Sequence, residues 1–339
     1  MGERTGNDHR SLIKQVLDDG AGPARSALAA SWRRSMTLYG LDPESRGQVV
    51  TLTEGQLRAA REAMEPVTQA AQGVLDRLFL AVGDAGCCVL LCDASGVPVE
   101  RRGMASDDDT FHRWGLWPGA VWSEAVEGTN GIGTALAEKR AVTIHRDQHF
   151  HARNIGLSCS SHPIYDHLGR LAGALDVSSC RADQTEAMLG LITAAVADAA
   201  RAIEAQAFRK AFSEARIVLA GDVAERNTAA LLAVDRDDLV VGATRAARLA
   251  LAITDERIAA QLAASEVLGG GSIEADLLEA ERGAVRRALA LNNGNVSAAA
   301  RGLGVSRATL HRKLHRLGSD RRRPLIATVA NLRQVCSAP

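Results

Sequence analysis

This 339-residue sequence has no long apolar run and no net charge, and aromatic residues make up only 3% of it. No segment reaches the roughly 18 consecutive apolar residues of a membrane-spanning helix, so we expect no membrane partner. The first eight residues, Met-Gly-Glu-Arg-Thr-Gly-Asn-Asp, do not follow the charged-then-apolar order of a secretory signal, which predicts a cytoplasmic protein. Six cysteines at irregular spacings favour a reducing compartment over a disulfide framework.

The formal net charge of +0 conceals an uneven distribution of charged side chains. Residues 276–323 contain 11 Lys and Arg but only 4 Asp and Glu, whereas the rest of the chain has 29 basic and 36 acidic residues. A basic segment on an acidic body is typical of proteins that present one end to a nucleic acid. A solvated basic helix is the alternative interpretation.

Residues 289–318 predict two short helices joined by a tight turn. Asn295 and Ser306 are favourable helix starts, because their side chains can accept hydrogen bonds from unpaired N–H groups of a first turn. Gly304 suits the left-handed conformation of the turn between them. A basic helix with an apolar stripe after such a turn indicates a helix-turn-helix DNA reader. The predicted contacts to double-stranded DNA come from Ser297, Ser306, Arg307, Thr309, His311, Arg312, Lys313 and Arg316.

The side chains that are predicted to contact DNA divide into two roles. Arg307 and Thr309 lie at the start of the second helix, which enters the major groove first, and an arginine can hold guanine through two hydrogen bonds. We assign phosphate contacts to Ser297, Arg312, Lys313, Arg316 and Arg321–Arg323. Binding should therefore weaken steeply as the salt concentration rises.

The run Gly294-Asn-Val-Ser-Ala-Ala-Ala-Arg-Gly-Leu-Gly-Val-Ser-Arg-Ala-Thr-Leu-His-Arg-Lys-Leu314 resembles the DNA-binding domain shared by the Fis protein and the C-termini of bacterial enhancer-binding activators. The resemblance includes the preceding helix, which the apolar spacing predicts over Ile273–Leu291. It implies an all-α domain over residues 276–320 that binds DNA as a homodimer, to which the preceding helix contributes.

Helices are predicted to dominate residues 1–83. Residues 1–22 are polar, and we expect them to lack stable structure. One helix is predicted from about Pro23 to Tyr39. After it, Thr53-Glu-Gly-Gln approximates a capping box, and apolar residues every three or four positions predict a long amphipathic helix over 54–83.

Residues 84–212 change to short apolar strands separated by turns. Strands are predicted at Cys87–Asp93, Pro98–Gly103, Ala141–His145, Ser161–Tyr165 and Leu171–Val177. A helix is predicted at Gly131–Arg140, and a long one over 182–212 follows the last strand. The pattern indicates an α+β domain with an antiparallel sheet. The long helices at its two ends either pair between subunits or pack on the sheet of their own domain.

Two runs in this segment, Trp117–Leu136 with its Glu127-Gly-Thr-Asn-Gly turn and His149–Asp166, resemble the GAF sensor domain of bacterial acetoin-catabolism regulators. Ser31-Trp-Arg-Arg-Ser-Met-Thr-Leu-Tyr-Gly-Leu-Asp-Pro43 resembles the lead-in to that domain. The resemblance spans roughly residues 25–205 and implies a small-molecule sensor fold. The related regulators suggest acetoin, alcohols, aldehydes or ketones as effectors, but no residue here selects one.

Aromatic and polar residues of this domain are the candidate effector-binding side chains. They are Trp117, Trp122, Glu127, Asn130, His145, His149, Phe150 and Cys159. Aromatic side chains could wall an apolar pocket, although core packing explains each of them equally well. Turn geometry alone would explain Asn130.

Metal binding and cysteine chemistry are the alternatives in the same domain. His149, His151 and Cys159 are good ligand types, but their spacing matches no established zinc pattern, so we predict neither a metal nor another cofactor. Strand alternation places Cys88 and Cys92 on one face and Cys87 on the other. Core packing is the default for these thiols, with redox sensing as the alternative.

A weaker pattern covers residues 213–268. Strands at Ala230–Asp235 and Leu239–Gly242, followed by a helix at Ala243–Ala252, are similar to the opening of a PAS domain, but the segment is too short for a complete one. We interpret it as a reduced PAS-like or dimerisation segment, with a linker carrying one hairpin as the alternative. Residues 269–275 form a predicted flexible linker.

The phosphate-binding loop Gly-x-x-x-x-Gly-Lys-Ser/Thr is missing from the sequence. The enhancer-binding activators that this chain resembles carry an ATPase between sensor and DNA reader. Here only the linker at 269–275 separates the PAS-like segment from the reader, and a basic tail at 321–339 follows. We therefore predict no ATPase and no other enzymatic activity.

Together these patterns predict an α+β protein with a GAF sensor domain, long flanking helices, a small PAS-like segment and an all-α Fis-type helix-turn-helix domain. The predicted function is sequence-specific transcriptional regulation by a homodimer that responds to a small organic effector, with RNA polymerase as a further partner to consider. Effector binding would change the pairing of the flanking helices and so the spacing of two DNA readers. The sequence does not decide between activation and repression, and it does not identify the operator.

Three alternatives remain at this stage. The chain is an architectural DNA-binding protein that uses the GAF domain only to dimerise, or a redox- or metal-responsive DNA-binding protein with no organic effector. The third is a GAF-fold redox enzyme that uses Cys87, Cys88 or Cys92, which leaves the basic C-terminal segment unexplained.

Overall fold

The computed structural model describes most of the chain, namely residues 3–18, 26–45, 47–181, 185–220, 229–268 and 273–318. Two compact units, Met1–Ala263 and Ala264–Pro339, make up the chain. The predicted basic tail at 321–339 and the glycine-rich run at 269–272 lie outside the described residues, as does the predicted helix start at Pro23. Among the described helices, none is long and apolar enough to cross a membrane.

The polar N-terminal segment forms helices that pack on the rest of the first unit. They are α1 at Glu3–Asp18, α2 at Ala27–Arg33 and a π-helical turn at Arg34–Leu38. Ile13 of α1 is fully buried in a cluster with Trp32 and Phe150. The expectation that residues 1–22 lack stable structure is therefore wrong for α1. Tertiary packing on an apolar surface stabilises a helix whose own sequence is mostly polar.

Helix α3 spans Glu54–Val82 and begins with the predicted capping box. The Gln56 backbone N–H donates to the Thr53 hydroxyl at 3.4 Å, and the Thr53 backbone N–H donates to the Gln56 side-chain oxygen at 2.9 Å. These reciprocal bonds satisfy two N–H groups that a helix start leaves without partners. The long amphipathic helix that the apolar spacing predicts is thus present.

Five antiparallel strands form the central sheet of the first unit. They are β1 at Cys87–Asp93, β2 at Pro98–Arg102, β3 at Val142–His145, β4 at Ser158–Tyr165 and β5 at Leu171–Ser179. Their order across the sheet is β2-β1-β5-β4-β3, which confirms the predicted α+β class. β4 begins at Ser158 rather than Ser161, because its first polar residues pair with β5 and are buried there.

Three short helices connect β2 to β3. They are α4 at Asp108–Arg113, α5 at Glu124–Glu127 and α6 at Gly131–Glu138. Asn130 caps α6, with its side-chain oxygen accepting a hydrogen bond from the Gly133 N–H at 2.8 Å. Phe111 of α4 and Ile132 of α6 pack in the same apolar cluster as Leu90, so these helices cover one face of the sheet.

The other face of the sheet is covered by α3 and by α7, which spans Glu186–Ala211. Met64, Val74 and Val196 from these helices are buried against strand residues such as Leu91 and Val177. The two long flanking helices therefore pack on the sheet of their own domain. Cys87 belongs to this helix-covered face, whereas Cys88 and Cys92 belong to the opposite one, as strand alternation predicts.

A second, smaller antiparallel sheet follows α7, in the order β6-β7-β8. Its elements are β6 at Arg216–Leu219, β7 at Leu231–Val234, β8 at Val240–Ala243, α8 at Arg245–Leu251 and α9 at Asp255–Ala259. Phe208 of α7 is fully buried with Leu231 and Ala233, which joins this sheet to α7. The predicted hairpin and helix are present, and β6 is an additional strand that the sequence pattern did not reveal.

The described part of the second unit is all-α, as predicted. Its helices are α10 at Ala264–Leu268, α11 at Ile273–Leu291, α12 at Val296–Gly302 and α13 at Arg307–Gly318. Val285 and Ala288 of α11, Ala299 and Ala300 of α12 and Leu310 of α13 form its core. Gly304 adopts the predicted left-handed conformation in the turn between α12 and α13, with φ of 66°.

Candidate functional site

Helix α13 separates an apolar face from a basic one. Leu310 is fully buried and Leu314 is half-buried against α11 and α12. Arg307, His311 and Arg312 are exposed on the rest of the helix surface. The helix therefore presents cationic and hydrogen-bonding side chains to solvent, with its position fixed by the leucines.

The start of α13 is held by a pair of hydroxyl groups. The Thr309 backbone N–H donates to the Ser306 hydroxyl at 3.1 Å, and the two hydroxyl oxygens lie 2.8 Å apart. Ser306 is thus the N-cap that the sequence predicts, and Thr309 is bonded to it through both backbone and side chain. Ser297 is half-buried in the first turn of α12, where its backbone N–H donates to the Asn295 side chain at 3.1 Å.

Two of the predicted phosphate contacts form ion pairs inside the domain. Lys313 and Arg316 each donate to a different carboxylate oxygen of Glu281 on α11. The hydrogen bond from Lys313 is the largest of the effects that lower the pKa of Glu281. Sequence reasoning missed Glu281, because its role depends on how α11 crosses α13. Arg312 lies one turn before Arg316 and is exposed.

A hydrogen-bonded chain of buried polar groups runs through the first unit. The His149 Nε2 lies 3.5 Å from the Cys159 Sγ, and that sulfur lies 3.1 Å from the Ser178 hydroxyl oxygen. Ser178 also lies 2.6 Å from the Asp176 carboxylate, which accepts a second hydrogen bond from Ser161. The structure thus brings two of the predicted ligand residues, His149 and Cys159, into one network.

Burial determines the protonation states in this network. It raises the pKa of Asp176 to about 6, and it lowers the pKa of His149 to about 4. Burial also raises the pKa of the Cys159, Cys88 and Cys92 thiols well above their usual range. These thiols remain protonated at neutral pH, whereas a reactive cysteine needs a thiolate.

Three further predicted ligand residues hold the fold together. Glu127 is buried and accepts two hydrogen bonds from Arg153 at 2.8 and 2.7 Å. The Trp122 indole N–H donates to the Gly115 carbonyl at 2.7 Å inside the core. The Asn130 amide donates to the Trp122 carbonyl at 3.0 Å while its oxygen caps α6. Each of these side chains has its hydrogen-bonding capacity engaged by neighbours.

The remaining three predicted ligand residues lie in separate surroundings. The His145 Nδ1 lies 2.7 Å from the Ser158 hydroxyl at the edge of the sheet. Phe150 is fully buried beneath α1 and α2. Trp117 is half-buried and lines an open groove with Arg101. The structure therefore distributes the eight predicted ligand residues over several environments, and Trp117 is the one on this groove.

Charged residues that sequence reasoning missed fasten the N-terminal segment to helices α5 and α6. Arg34 holds Glu124 through two hydrogen bonds of 2.9 and 3.0 Å, and it also pairs with Glu138 at 2.7 Å. Ser31 donates to the same Glu124 carboxylate.

No group of three or more His, Cys, Asp or Glu side chains able to hold a metal ion occurs among the described residues.

Comparisons with known proteins match part of each unit to a family. Residues 66–203 match the family described as GAF domain, and residues 277–317 match the family described as bacterial regulatory protein, Fis family. The Acetoin catabolism regulatory protein of Cupriavidus necator is 36% identical over 224 residues, which are 65% of this chain and 34% of that protein.

One further curated protein and one solved structure are similar to part of this chain. The Acetoin dehydrogenase operon transcriptional activator AcoR of Bacillus subtilis is 30% identical over 197 residues, or 58% of this chain and 32% of that protein. The crystal structure of the E. coli DhaR(N)–DhaL complex matches 67% of this chain and 76% of its own, at 16% identity and a TM-score of 0.49. This chain spans about a third of the length of the two curated relatives. It combines a GAF domain with a helix-turn-helix domain of the bacterial regulatory Fis family.

Proposed function

We propose that this protein is a transcriptional regulator that binds double-stranded DNA through α13 and responds to a small organic effector through its GAF domain, without ATPase activity. The observation that carries the proposal is the presence of both domain families in one chain. The names of the relatives, which refer to acetoin catabolism and an acetoin dehydrogenase operon, support a regulatory role near the metabolism of small oxygenated compounds.

The DNA-binding part of the proposal rests on the exposed side of α13. Arg307 is exposed at the N-terminal end of the helix, which is the end that reaches base edges in helix-turn-helix proteins. Its guanidinium can donate two hydrogen bonds to one guanine, which would provide about 1–3 kcal/mol of discrimination. His311 follows one turn later, and Arg312 is placed to contact the phosphate backbone.

Lys313 and Arg316 differ from Arg312 because each already has an ion-pair partner inside the domain. Both are paired with Glu281, so a phosphate must compete with a carboxylate for each of them. We propose that Arg312 contacts phosphate directly, and that Lys313 and Arg316 contact phosphate only after their ion pairs with Glu281 break. Each phosphate neutralised on duplex DNA adds about 0.9 to the slope of log affinity against log salt, so the slope counts these contacts.

The proposed assembly is a homodimer. Leu80 on α3 is 80% exposed and Leu191 on α7 is 74% exposed, although both helices use their other side to cover the sheet. Pairing of these outer sides between two copies would bury them, and it would link the sensor to the spacing of two α13 helices. Light scattering of the protein and of a Leu80→Glu, Leu191→Glu double variant tests this assembly, because only the variant should be monomeric.

The absence of ATPase activity is proposed from the sequence, which has no phosphate-binding loop. Regulation would then come from occupancy of DNA and not from ATP-driven remodelling of a polymerase. The buried, protonated thiols likewise give no support to a redox enzyme. Incubation with ATP and duplex DNA should release no phosphate above the background of the buffer.

One observation favours a second candidate function. Seven of the eight predicted ligand residues are engaged in the core, in caps, in ion pairs or at the sheet edge, which suits a GAF domain that only supports dimerisation. In that case the protein is a DNA-binding protein without an effector. Native mass spectrometry of the protein purified from its own host distinguishes the two functions, since a sensor should carry a bound small molecule.

The proposed function is tested by mapping the DNA sites of the full-length protein with and without candidate metabolites. A regulator should occupy a small set of sites near promoters, and one metabolite should change that occupancy. Uniform occupancy of the genome, with no response to any metabolite, would contradict the proposal. An Arg307→Ala variant provides the control for contacts made by α13.

A further inference from the structure

A buried arginine beside the Trp117 groove was not anticipated from the sequence. In the sheet, Arg101 of β2 lies opposite Leu90 of β1, so its side chain projects on the same face as Leu90. Only 10% of the side chain is exposed. The guanidinium carbon lies 4.4 Å from the centre of the Trp117 ring and 5.4 Å from that of Phe111.

The hydrogen-bonding capacity of Arg101 is mostly unused. Its Nη1 pairs with the Asp108 carboxylate at 2.7 Å. Its Nε and Nη2 are buried and have no hydrogen-bond partner among the described residues. Contact with aromatic rings stabilises the charge of a guanidinium but does not replace acceptors for its N–H groups. Buried N–H groups without acceptors are costly, so this arrangement favours an additional acceptor.

The groove beside Arg101 has room for a small molecule. It has a volume of about 430 Å³ and is lined by Leu57, Arg61, Val99, Glu100, Arg101, Trp117 and Pro118. Leu57, Val99 and Trp117 provide apolar walls, while Arg61 and Arg101 provide cations. The Arg61 Nε donates to the Val99 carbonyl at 3.1 Å, which holds this second guanidinium at the groove. The Glu100 carboxylate accepts from Arg102 at 3.0 Å, so a partner already engages the acidic side chain of the groove.

We propose that this groove binds a small organic carboxylate, with its oxygens on the Arg101 guanidinium and its carbon skeleton against Leu57, Val99 and Trp117. The inference rests on the proposed sensor function and names its site and its ligand class. A carboxylate fits because its two oxygens match the planar fork of an arginine, and charge-assisted pairs of this type are strong. The Trp117 indole must shift along the guanidinium to admit the oxygens to Nε and Nη2.

The position of the groove also connects it to the rest of the molecule. Leu57 and Arg61 belong to α3, whereas Val99 and Arg101 belong to the edge strand β2. A ligand held between them would contact the long flanking helix directly. Binding at the groove could therefore alter how α3 packs, which is the coupling that the proposed regulation requires.

The test is calorimetric titration of the full-length protein with four probes of similar size. Pyruvate and lactate carry a carboxylate, whereas acetoin and 2,3-butanediol are neutral, and sodium chloride at matched ionic strength is the blank. We expect the carboxylates to bind more tightly than the neutral compounds. Arg101→Gln should weaken carboxylate binding by about tenfold or more, and Arg101→Lys should restore part of the affinity.

Two variants keep the test valid if Arg101→Gln does not fold. Arg61→Gln removes the exposed second cation and should weaken carboxylate binding severalfold, whereas Arg58→Gln, an exposed arginine on the same helix outside the groove lining, should not. Trp117→Phe should abolish a carboxylate-induced change in tryptophan fluorescence. Carboxylate affinity that is equal in all variants, or the lack of any carboxylate binding at millimolar concentration, overturns the inference.

The failure of this inference and that of the proposed function are distinguishable. Binding of acetoin or 2,3-butanediol without binding of either carboxylate overturns the carboxylate site and leaves the sensor function standing. If the wild-type protein does not bind DNA sequence-specifically, the regulatory function is contradicted, whatever the calorimetric titration shows.

Discussion

Charged residues serve different purposes in the two units of this protein. In the first unit the key carboxylates are buried and held by arginines, as in the Arg34–Glu124 and Arg153–Glu127 pairs. In the second unit the cations lie mostly on the surface of α13, and Glu281 is a half-exposed partner for two of them. The difference teaches that charge supports the fold in the first unit and is available for association in the second. Substitutions should therefore affect stability in one unit and affinity in the other.

The largest effect is expected from Arg34→Ala. The Glu124 side chain is 2% exposed, and loss of its main partner leaves a buried carboxylate without a countercharge. Removal of one partner of such a pair costs about 3 kcal/mol or more, so the free energy of unfolding of the first unit should fall by that amount. Urea titration followed by tryptophan fluorescence measures the change. Arg33→Ala, at an exposed position one residue earlier, is the matched control and should be near neutral.

The next largest effect is expected from Arg307→Ala, and it should appear in DNA binding. Loss of one guanidinium that reads a base should reduce sequence discrimination by about 1–3 kcal/mol. The free energy of unfolding should stay within about 0.5 kcal/mol of wild type, because the side chain is exposed. Competition between selected and random duplexes measures the discrimination. Arg209→Ala removes the same charge from an exposed position on α7 and is the control. An equal loss of discrimination in this variant would show that Arg307 of α13 does not read a base.

A smaller effect is expected in the salt dependence of DNA binding, where Arg312 should differ from the two cations that are paired with Glu281. Arg312→Ala should reduce the salt slope of binding to a random duplex by about 0.9, whereas Lys313→Ala should reduce it by less. Glu281→Gln should strengthen binding at low salt, because Lys313 and Arg316 no longer need to leave a carboxylate. Fluorescence anisotropy at several salt concentrations gives the slopes, and Glu256→Gln in the first unit is the control. Weaker binding by Glu281→Gln would mean that Glu281 positions the cations for DNA.

The smallest net effect concerns the pH dependence of stability, because two buried groups act in opposite directions. The pKa of Asp176 is raised to about 6 in the folded state, so its contribution to stability falls as the pH rises from about 4 to 6. The pKa of His149 is lowered to about 4, so its contribution rises as the pH increases from about 4 to 6.5.

Asp176→Asn should reveal this opposition. With the carboxyl group removed, the free energy of unfolding should rise more steeply between pH 4 and 6 than it does in the wild-type protein, since only the histidine contribution remains. Thermal unfolding at a series of pH values measures the slope. An unchanged slope would mean that Asp176 titrates at its ordinary pKa in the folded protein.

Local sequence signals predicted much of the fold correctly. The capping box at Thr53, the alternation of Cys87 and Cys88 and the helix Ile273–Leu291 depend on neighbours in the sequence, and the structure has all three. Helix α1 was missed because it is stabilised by packing on distant residues such as Phe150, and strand β6 was missed because it is stabilised by pairing with β7.

The candidate sites were predicted less completely, for a related reason. The residues of α13 could be named from the sequence because a helix is continuous in sequence, and their contacts with DNA stay a prediction. The position of Arg101 depends on the register of β2 with β1, and the role of Glu281 depends on how two helices cross. Trp122 and Glu127 have the residue types of a ligand site, but the fold uses them in its core and in an ion pair. Residue type alone does not distinguish these uses.

The central claim is that occupancy of the GAF domain controls DNA binding by α13. It is tested most directly by measuring the affinity of the full-length protein for a selected duplex during titration with pyruvate and, separately, with acetoin. The account predicts that pyruvate changes the affinity by about fivefold or more and that an Arg101→Gln variant no longer responds to it, whereas acetoin changes the affinity by less. A compound that binds the protein tightly and leaves the DNA affinity unchanged would contradict the claim.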